Sequence, residues 1–209
     1  MKRFVIFILC NTLLFVMLYA QNKFILTSPD KKLQTTIECG QQLKYNIVYE
    51  NHLLLDFSPI SVTTDKGCIW GHESRLLHHE MKTQKQIVPS PFYRSQEIEF
   101  RAYNDGIAYR FVNHAQTSFN IISEQADFYF PLDGVVTVPY VRTGKDGDWD
   151  AQFFNSFENI YTTCNMSEMN KLRLAFLPII VNIEKYKLCI TESHLEDYPG
   201  LYLLNADGG

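Results

Sequence analysis

The stretch Glu97–Phe111, EIEFRAYNDGIAYRF, decides the fold that the sequence predicts. Its Asp105-Gly106 pair lies between two runs in which apolar and polar residues alternate, which is typical of a β-hairpin, because glycine adopts a positive φ without steric cost. The stretch therefore predicts two antiparallel strands. Alternation places six apolar side chains on one core-facing side: Ile98, Phe100, Ala102, Ile107, Tyr109 and Phe111.

A two-residue loop would fix the register of this hairpin. Ala102 would then face Tyr109, and Arg101 would lie opposite Arg110, with Glu99 diagonal to Arg110. Two opposed arginines repel each other unless a carboxylate lies between them. Two interpretations remain open: the arginines extend over a solvated sheet surface, or another part of a larger protein covers this face.

Outward from the hairpin, the alternation of period two continues over most of the chain from Phe24. Proline is expected to end one strand at Pro59 and to mark an edge at Pro139, because it donates no ladder hydrogen bond. A further strand is expected over Leu172–Leu177. Ten to fifteen short strands separated by turn residues predict an all-β fold, a large antiparallel β-sandwich.

The N-terminus has the layout of a secretory signal peptide. Lys2 and Arg3 precede an apolar run that ends near Ala20, so we expect residues 1–20 to be removed and residues 21–209 to form one domain. The expected location is therefore periplasmic or secreted, with no membrane attachment after cleavage.

Charge and cysteine content narrow the functional classes. Without Lys2 and Arg3 the chain keeps 17 basic residues against 23 acidic ones and has no basic run, which disfavours a nucleic-acid partner. Export leaves four cysteines, which allow three pairings or none: Cys39, Cys68, Cys164 and Cys189.

Three groups of residues are candidates for chemistry. In ITESHLEDYPG, Ile190–Gly200, Glu192 follows an apolar strand, where a sheet could hold it as a hard-cation ligand; the alternative is a solvated carboxylate. Alternating aspartates resemble the start of a calcium loop but lack the glutamate at its twelfth position: Asp146, Asp148 and Asp150. A sugar epimerase of the mutarotase type would need converging histidines, and the sequence offers six scattered ones: His52, His72, His78, His79, His114 and His194.

A carbohydrate-binding module would instead need aromatic side chains on an exposed face. Four residues are candidates for that role: Tyr103, Tyr140, Trp149 and Phe153.

At FRAYNDGIAYRF, Phe100–Phe111, and ITESHLEDYPGLYL, Ile190–Leu203, the chain resembles the N-terminal domain of glycoside hydrolase family 97. The likeness extends to LTSPDKKL at Leu26–Leu33 and SFENIY at Ser156–Tyr161, in the same order. The segment Lys82–Arg94 departs from the family pattern.

This resemblance implies a sandwich similar in fold to galactose mutarotase, packed on a catalytic (β/α)₈ barrel in a secreted α-glucosidase or α-galactosidase. By position, it makes Glu192 a calcium ligand that reaches the active site, so that Ca²⁺ would be shared with the barrel. The family's catalytic carboxylates lie on the barrel, which residues 21–209 do not include. We therefore expect no catalytic residue in this chain, and an accessory role toward an oligosaccharide or α-glycoside substrate of the full-length enzyme. A free-standing carbohydrate-binding module and a mutarotase-like epimerase remain the alternatives.

Overall fold

A computed structural model describes residues 22–74, 85–89, 96–114, 117–196 and 198–206. The predicted signal peptide and the pair His78-His79 lie outside these residues, as does most of Lys82–Arg94. The described residues form thirteen strands, one short α-helix and one 3₁₀ helix, Met166–Glu168. The strands and the α-helix are β1 Asn22–Thr27, β2 Leu33–Cys39, β3 Lys44–Tyr49, β4 His52–Thr64, β5 Ile69–Trp70, β6 Lys85–Pro89, β7 Gln96–Ala102, β8 Ile107–Asn113, β9 Ile121–Ala126, β10 Val135–Val138, α1 Trp149–Gln152, β11 Thr162–Asn165, β12 Ile179–Ile183 and β13 Tyr186–Ile190.

The first sheet has the order β1-β2-β3-β4-β5, and β9 pairs with the other edge of β4. The expected end of a strand at Pro59 is wrong, because β4 continues through it. Pro59 lies opposite Lys44, and the next residue supplies the missing donor: Ile60 N–H bonds to the Leu43 carbonyl at 3.1 Å. The Pro59 carbonyl still accepts from Asp127 N–H at 3.2 Å. A proline inside a strand is thus tolerated where neighbouring residues maintain the ladder.

The central hairpin forms as predicted, with a different register. Ala102 pairs with Ile107, and a hydrogen bond from Tyr103 N–H to the Gly106 carbonyl at 2.8 Å closes the hairpin, so that Asn104 and Asp105 lie at its tip. The shift of two residues keeps every side chain on its predicted face, since strand side chains alternate with period two. It also places Glu99, rather than Arg101, directly opposite Arg110.

The main core lies between the first sheet and the three-stranded sheet β6-β7-β8. Phe100 is fully buried and packs with Tyr45, whose ring centroid lies 5.9 Å away. Tyr109 and Phe111 are half-buried and pack against the same cluster. Burial raises the pKa of the Tyr45 hydroxyl. The predicted core face of the hairpin is confirmed.

A third sheet has the order β11-β10-β12-β13 and carries its own core, centred on Val136, Val138 and Val181. Because β10 is paired on both sides, Pro139 does not mark an edge strand. The strand expected over Leu172–Leu177 is also wrong: Ala175 makes isolated bridges to Tyr140 and Leu203 instead.

The prediction of an all-β, antiparallel architecture is confirmed. Within the described ranges, the helices are all too short or too polar to span a lipid bilayer. The four cysteines expected to remain after export are free thiols here.

Candidate functional site

Glu192 lies two residues beyond the end of β13, where the chain enters an irregular loop. Both of its carboxylate oxygens accept from the backbone N–H of Leu201, at 2.9 and 3.0 Å. Gly200 lies beside this contact, and a Cβ there would be 3.4 Å from Oε1 of Glu192, an ordinary contact distance. The carboxylate is therefore half-buried and turned back toward its own loop.

A second carboxylate, Glu124 of β9, lies close to this loop. The Tyr198 hydroxyl donates to Oε2 of Glu124 at 2.7 Å, which joins the loop to the first sheet. Partial desolvation raises the pKa of Glu124, the negative charge of Glu192 raises it further, and the hydrogen bond from Tyr198 opposes both. Two carboxylates thus share one region of the surface and repel each other.

Further polar groups extend this region along β9. Asp127 accepts from Gln125 Nε2 at 2.9 Å and from the Tyr129 hydroxyl at 3.1 Å. Burial raises the pKa of the Tyr109 hydroxyl, and the charges of Tyr45, Glu124, Tyr198 and Asp127 add to the shift.

The carboxylate oxygens of this region are suitable ligands for a hard cation, but they are too few to form a complete site. Carboxylate oxygens are the ligands that Ca²⁺ prefers, but the ion needs about six to eight of them. Across the described ranges, no three His, Cys, Asp or Glu side chains come together closely enough to hold a metal. Glu192 and the nearby Glu124 could therefore supply only part of a ligand set.

The aspartate loop has structural contacts. Asp148 caps α1 by accepting from Ala151 N–H at 3.2 Å. Asp146 pairs with the Arg173 guanidinium at 2.9 Å and accepts from the Asn170 side chain. Asp146 and Asp148 thus have structural contacts of their own and need no bound cation to explain their positions.

Three of the candidate histidines lie in different places and contact different groups. His52 Nδ1 is 2.9 Å from the Tyr186 hydroxyl, His114 pairs with Glu97 at 2.9 Å, and His194 lies 3.3 Å from Glu196. The convergence that a mutarotase-type site would need is not seen for these three.

The four candidate sugar-binding aromatics do not form one platform. Tyr103 lies next to the tip of the β7–β8 hairpin, whereas Trp149 and Phe153 lie on and just after α1. The half-buried Tyr140 uses its hydroxyl to accept from Asn170 N–H at 2.8 Å.

A cavity of about 280 Å³ lies between the segment Ala126–Phe130 and the third sheet, and its lining includes Val136, Met166, Ile179 and Leu203. Most of its lining side chains are apolar, so it offers few groups that could recognise a sugar hydroxyl.

Sequence reasoning identified Glu192 but missed Glu124, which is 68 positions earlier in the chain. The two are brought together by the pairing of β4 with β9 and by the Tyr198 hydrogen bond. Tyr198, in the DYPG motif, was the one residue near Glu192 in the sequence that could have indicated a hydrogen-bonding partner such as Glu124.

Comparisons with known proteins place these features in context. The family described as "Glycosyl-hydrolase 97 N-terminal" matches residues 90–209. A retaining alpha-galactosidase from Bacteroides thetaiotaomicron is 46% identical over 226 residues, an alignment that covers 100% of this chain and 34% of the relative. The chain thus spans about a third of that relative's length.

Solved structures are similar in fold. A beta-arabinopyranosidase has a TM-score of 0.66 at 18% identity, over 82% of this chain and 32% of its own. A Glycoside Hydrolase Family 97 enzyme from a Pseudoalteromonas species, solved in complex with acarbose, has a TM-score of 0.64 at 15% identity, over 87% of this chain and 30% of its own.

Proposed function

Because the chain belongs to the glycosyl-hydrolase 97 N-terminal family, we propose that it acts as the accessory N-terminal domain of a secreted α-glycosidase. The observation that carries this proposal is the 46% identity to a retaining alpha-galactosidase along the whole chain. The catalytic carboxylates would lie outside residues 21–209, on the barrel that the family resemblance implies. Substrates of the complete enzyme would be α-galactosides or α-glucosides.

Within this role, Glu192 would contribute one ligand to a Ca²⁺ site completed by the catalytic part. Its half-buried carboxylate is held at a defined position by the Leu201 N–H, as a ligand needs to be. The raised pKa of Glu124 beside it supports the same proposal, because a cation would relieve the repulsion between the two carboxylates. Bound there, Ca²⁺ would supply positive charge that polarises a substrate oxygen.

The cheapest test of the accessory role uses the purified chain. It should not hydrolyse p-nitrophenyl α-galactoside or α-glucoside, because glycosidases need two carboxylates flanking the scissile bond. Turnover that is lost when a carboxylate of this chain is replaced would contradict the proposal.

A chimera tests the calcium role. In it, this chain replaces the matched N-terminal third of the Bacteroides alpha-galactosidase. The chimera should be active, and Glu192→Gln should raise the Ca²⁺ concentration for half-maximal activity at least tenfold. The isolated chain should give no micromolar calcium binding by calorimetry. A micromolar site in the isolated chain that disappears in Glu192→Gln would mean that the site is self-contained.

Export has its own test. Expression with the native N-terminus in a Gram-negative host should yield periplasmic protein whose sequence begins at Gln21. Retention of residues 1–20 in the recovered protein would contradict the predicted cleavage.

A further inference from the structure

The segment from α1 to β11 exposes large apolar side chains at high density. Phe154 is 82% exposed and Ile160 is 87% exposed, the two highest values among the exposed large apolar residues of the described chain. Their neighbours in this segment are exposed as well, and together the six residues are named the aromatic surface: Trp149, Phe153, Phe154, Phe157, Ile160 and Tyr161. Six exposed large apolar side chains within thirteen residues are more than a free surface needs, and large exposed apolar patches mark interaction sites.

Two polar side chains, those of Gln152 and Asn159, hold the segment in place. Gln152 is fully buried: its Nε2 donates to the Lys145 and Leu172 carbonyls at 2.8 and 2.9 Å, and its Oε1 accepts from Leu174 N–H at 2.7 Å. Asn159 donates to the Tyr140 carbonyl at 2.8 Å. A fully buried glutamine beside such exposed apolar side chains is unlike an ordinary solvated loop.

The backbone of the segment is similarly constrained. Phe157 has a φ of +56°, a left-handed conformation that a phenylalanine adopts at a cost. Its ring packs edge-on against Phe176 at 5.3 Å and lies 6.0 Å from the ring of Tyr202. The aromatic surface is thus built on a hydrogen-bonded frame and presented in one conformation.

The composition favours a protein partner over a sugar. Phenylalanine and isoleucine have no polar atom that could bond to a sugar hydroxyl, whereas a protein interface buries such side chains at its core. Phe154 and Ile160, the most exposed members, belong to this class.

We propose that the aromatic surface is the face on which the catalytic remainder of the enzyme packs, an inference that rests on the proposed function. About two thirds of the alpha-galactosidase relative lies beyond the matched part, which is a large partner. Tyr202 lies against the aromatic surface, with its ring 5.0 Å from that of Phe153 and 6.0 Å from that of Phe157. The residue before it, Leu201, bonds to the proposed ligand Glu192, so the aromatic surface lies next to the proposed Ca²⁺ ligand. A catalytic part that completes the site at Glu192 would therefore lie beside this face.

The test compares the same substitutions in two settings, the isolated chain and the chimera with the Bacteroides enzyme. Phe154→Thr with Ile160→Thr should leave the urea midpoint of the isolated chain unchanged or higher, because both side chains contact mainly solvent. In the chimera the same pair should lower the melting temperature by several degrees. Ile25→Thr is the matched control: Ile25 is 56% exposed on β1, in the first sheet, and its replacement should act equally in both settings.

Hydrogen exchange gives a second measurement. Amides of residues 153–161 should exchange at least tenfold more slowly in the chimera than in the isolated chain. Equal exchange in the isolated chain and the chimera, together with equal melting temperatures of the variant and parent chimeras, would overturn the proposal. An active chimera would still support the proposed function in that case. An inactive chimera that still protects this segment would overturn the proposed function instead.

The proposal would also be overturned if a sugar or a second copy of the chain binds to the aromatic surface. Protection of residues 153–161 by galacto-oligosaccharides in the isolated chain would assign the aromatic surface to a sugar. Concentration-dependent dimerisation of the isolated chain, abolished by the two substitutions, would assign it to a second copy.

Discussion

Arg110 donates from Nε to Oε2 of Glu99 across the β7–β8 pair, at 2.9 Å, and the Glu99 side chain is only 5% exposed. The guanidinium of Arg101 lies 3.9 Å from the same oxygen. The expected repulsion between the two arginines is therefore replaced by two cations around one buried carboxylate.

Replacement of Arg110 by glutamine should destabilise the chain by about 1–3 kcal/mol, because it removes the strong partner of a buried charge. Arg101→Gln, which removes the longer contact, should cost less than half as much. Urea unfolding of both variants measures the difference. Equal effects would mean that Arg110 holds no special position.

Gly144 is the glycine that the loop before α1 requires. Its φ is +80°, and a Cβ would lie 2.8 Å from both Cγ and the backbone nitrogen of Gln152. Gly144→Ala should therefore cost about 2 kcal/mol or more. Gly106, in the hairpin loop, is the control: its φ is not in the left-handed region and the space around it is open, so Gly106→Ala should stay within about 0.5 kcal/mol. A reversed order in urea melts would contradict the two loop geometries.

Glu124 should make stability depend on pH. Its pKa in the folded chain is raised above the ordinary value of 4.5, so the folded state favours its protonated form. The resulting stabilisation is present below pH 4.5 and is lost as the pH rises through the folded-state pKa. Glu124→Gln should then match the parent at pH 4 and be more stable at pH 7, by less than about 1 kcal/mol because the side chain is exposed.

Glu158→Gln, at an exposed carboxylate in the segment between α1 and β11, is the control for this experiment. Unfolding curves at several pH values measure both variants. A gain for Glu124→Gln that is the same at pH 4 and pH 7 would exclude titration of Glu124 as its cause.

The thiols should differ widely in reactivity. Cys39 is buried, and burial raises its pKa to about 12, whereas Cys189 is exposed. Because the thiolate is the reactive form, iodoacetamide at pH 8 should alkylate Cys189 at least a hundredfold faster than Cys39. Peptide mass spectrometry over time measures both rates. Rapid alkylation of Cys39 without denaturant would contradict its place in the core.

The hairpin shows which part of a fold alternation can predict. Alternation assigned the core face of Glu97–Phe111 correctly, because a shift by two residues does not change which side chains face inward. The register was wrong because Asp105-Gly106 indicates a turn centred on those two residues, whereas the bond from Tyr103 N–H to the Gly106 carbonyl places the tip one residue earlier, at Asn104-Asp105. The position of the turn depends on one backbone hydrogen bond, and a backbone hydrogen bond leaves no pattern in the sequence.

The site was predictable to a smaller extent. The motif around Glu192 located one carboxylate, and its predicted role as a ligand stays a prediction. Its orientation was not predicted, because the Leu201 N–H that turns it inward is a backbone group present at nearly any residue. Of the aromatic surface, only Trp149 and Phe153 were named from the sequence as exposed candidates, because exposed and buried aromatic residues look alike in a sequence. The burial of Gln152 beneath them has no sequence signal either.

Strand β4 sets an order in which the chain can assemble during synthesis. Its first half pairs with β3 across a two-residue turn, Glu50-Asn51, and can do so as soon as it leaves the ribosome. The opposite edge of its second half pairs with β9 and must wait for residues 65–120 to be made, which takes roughly 3 to 10 s at bacterial elongation rates. For that interval a strand edge bearing Ile60 and Val62 is open to pairing with other nascent chains. Expression at lower ribosome density should therefore improve the yield of soluble chain.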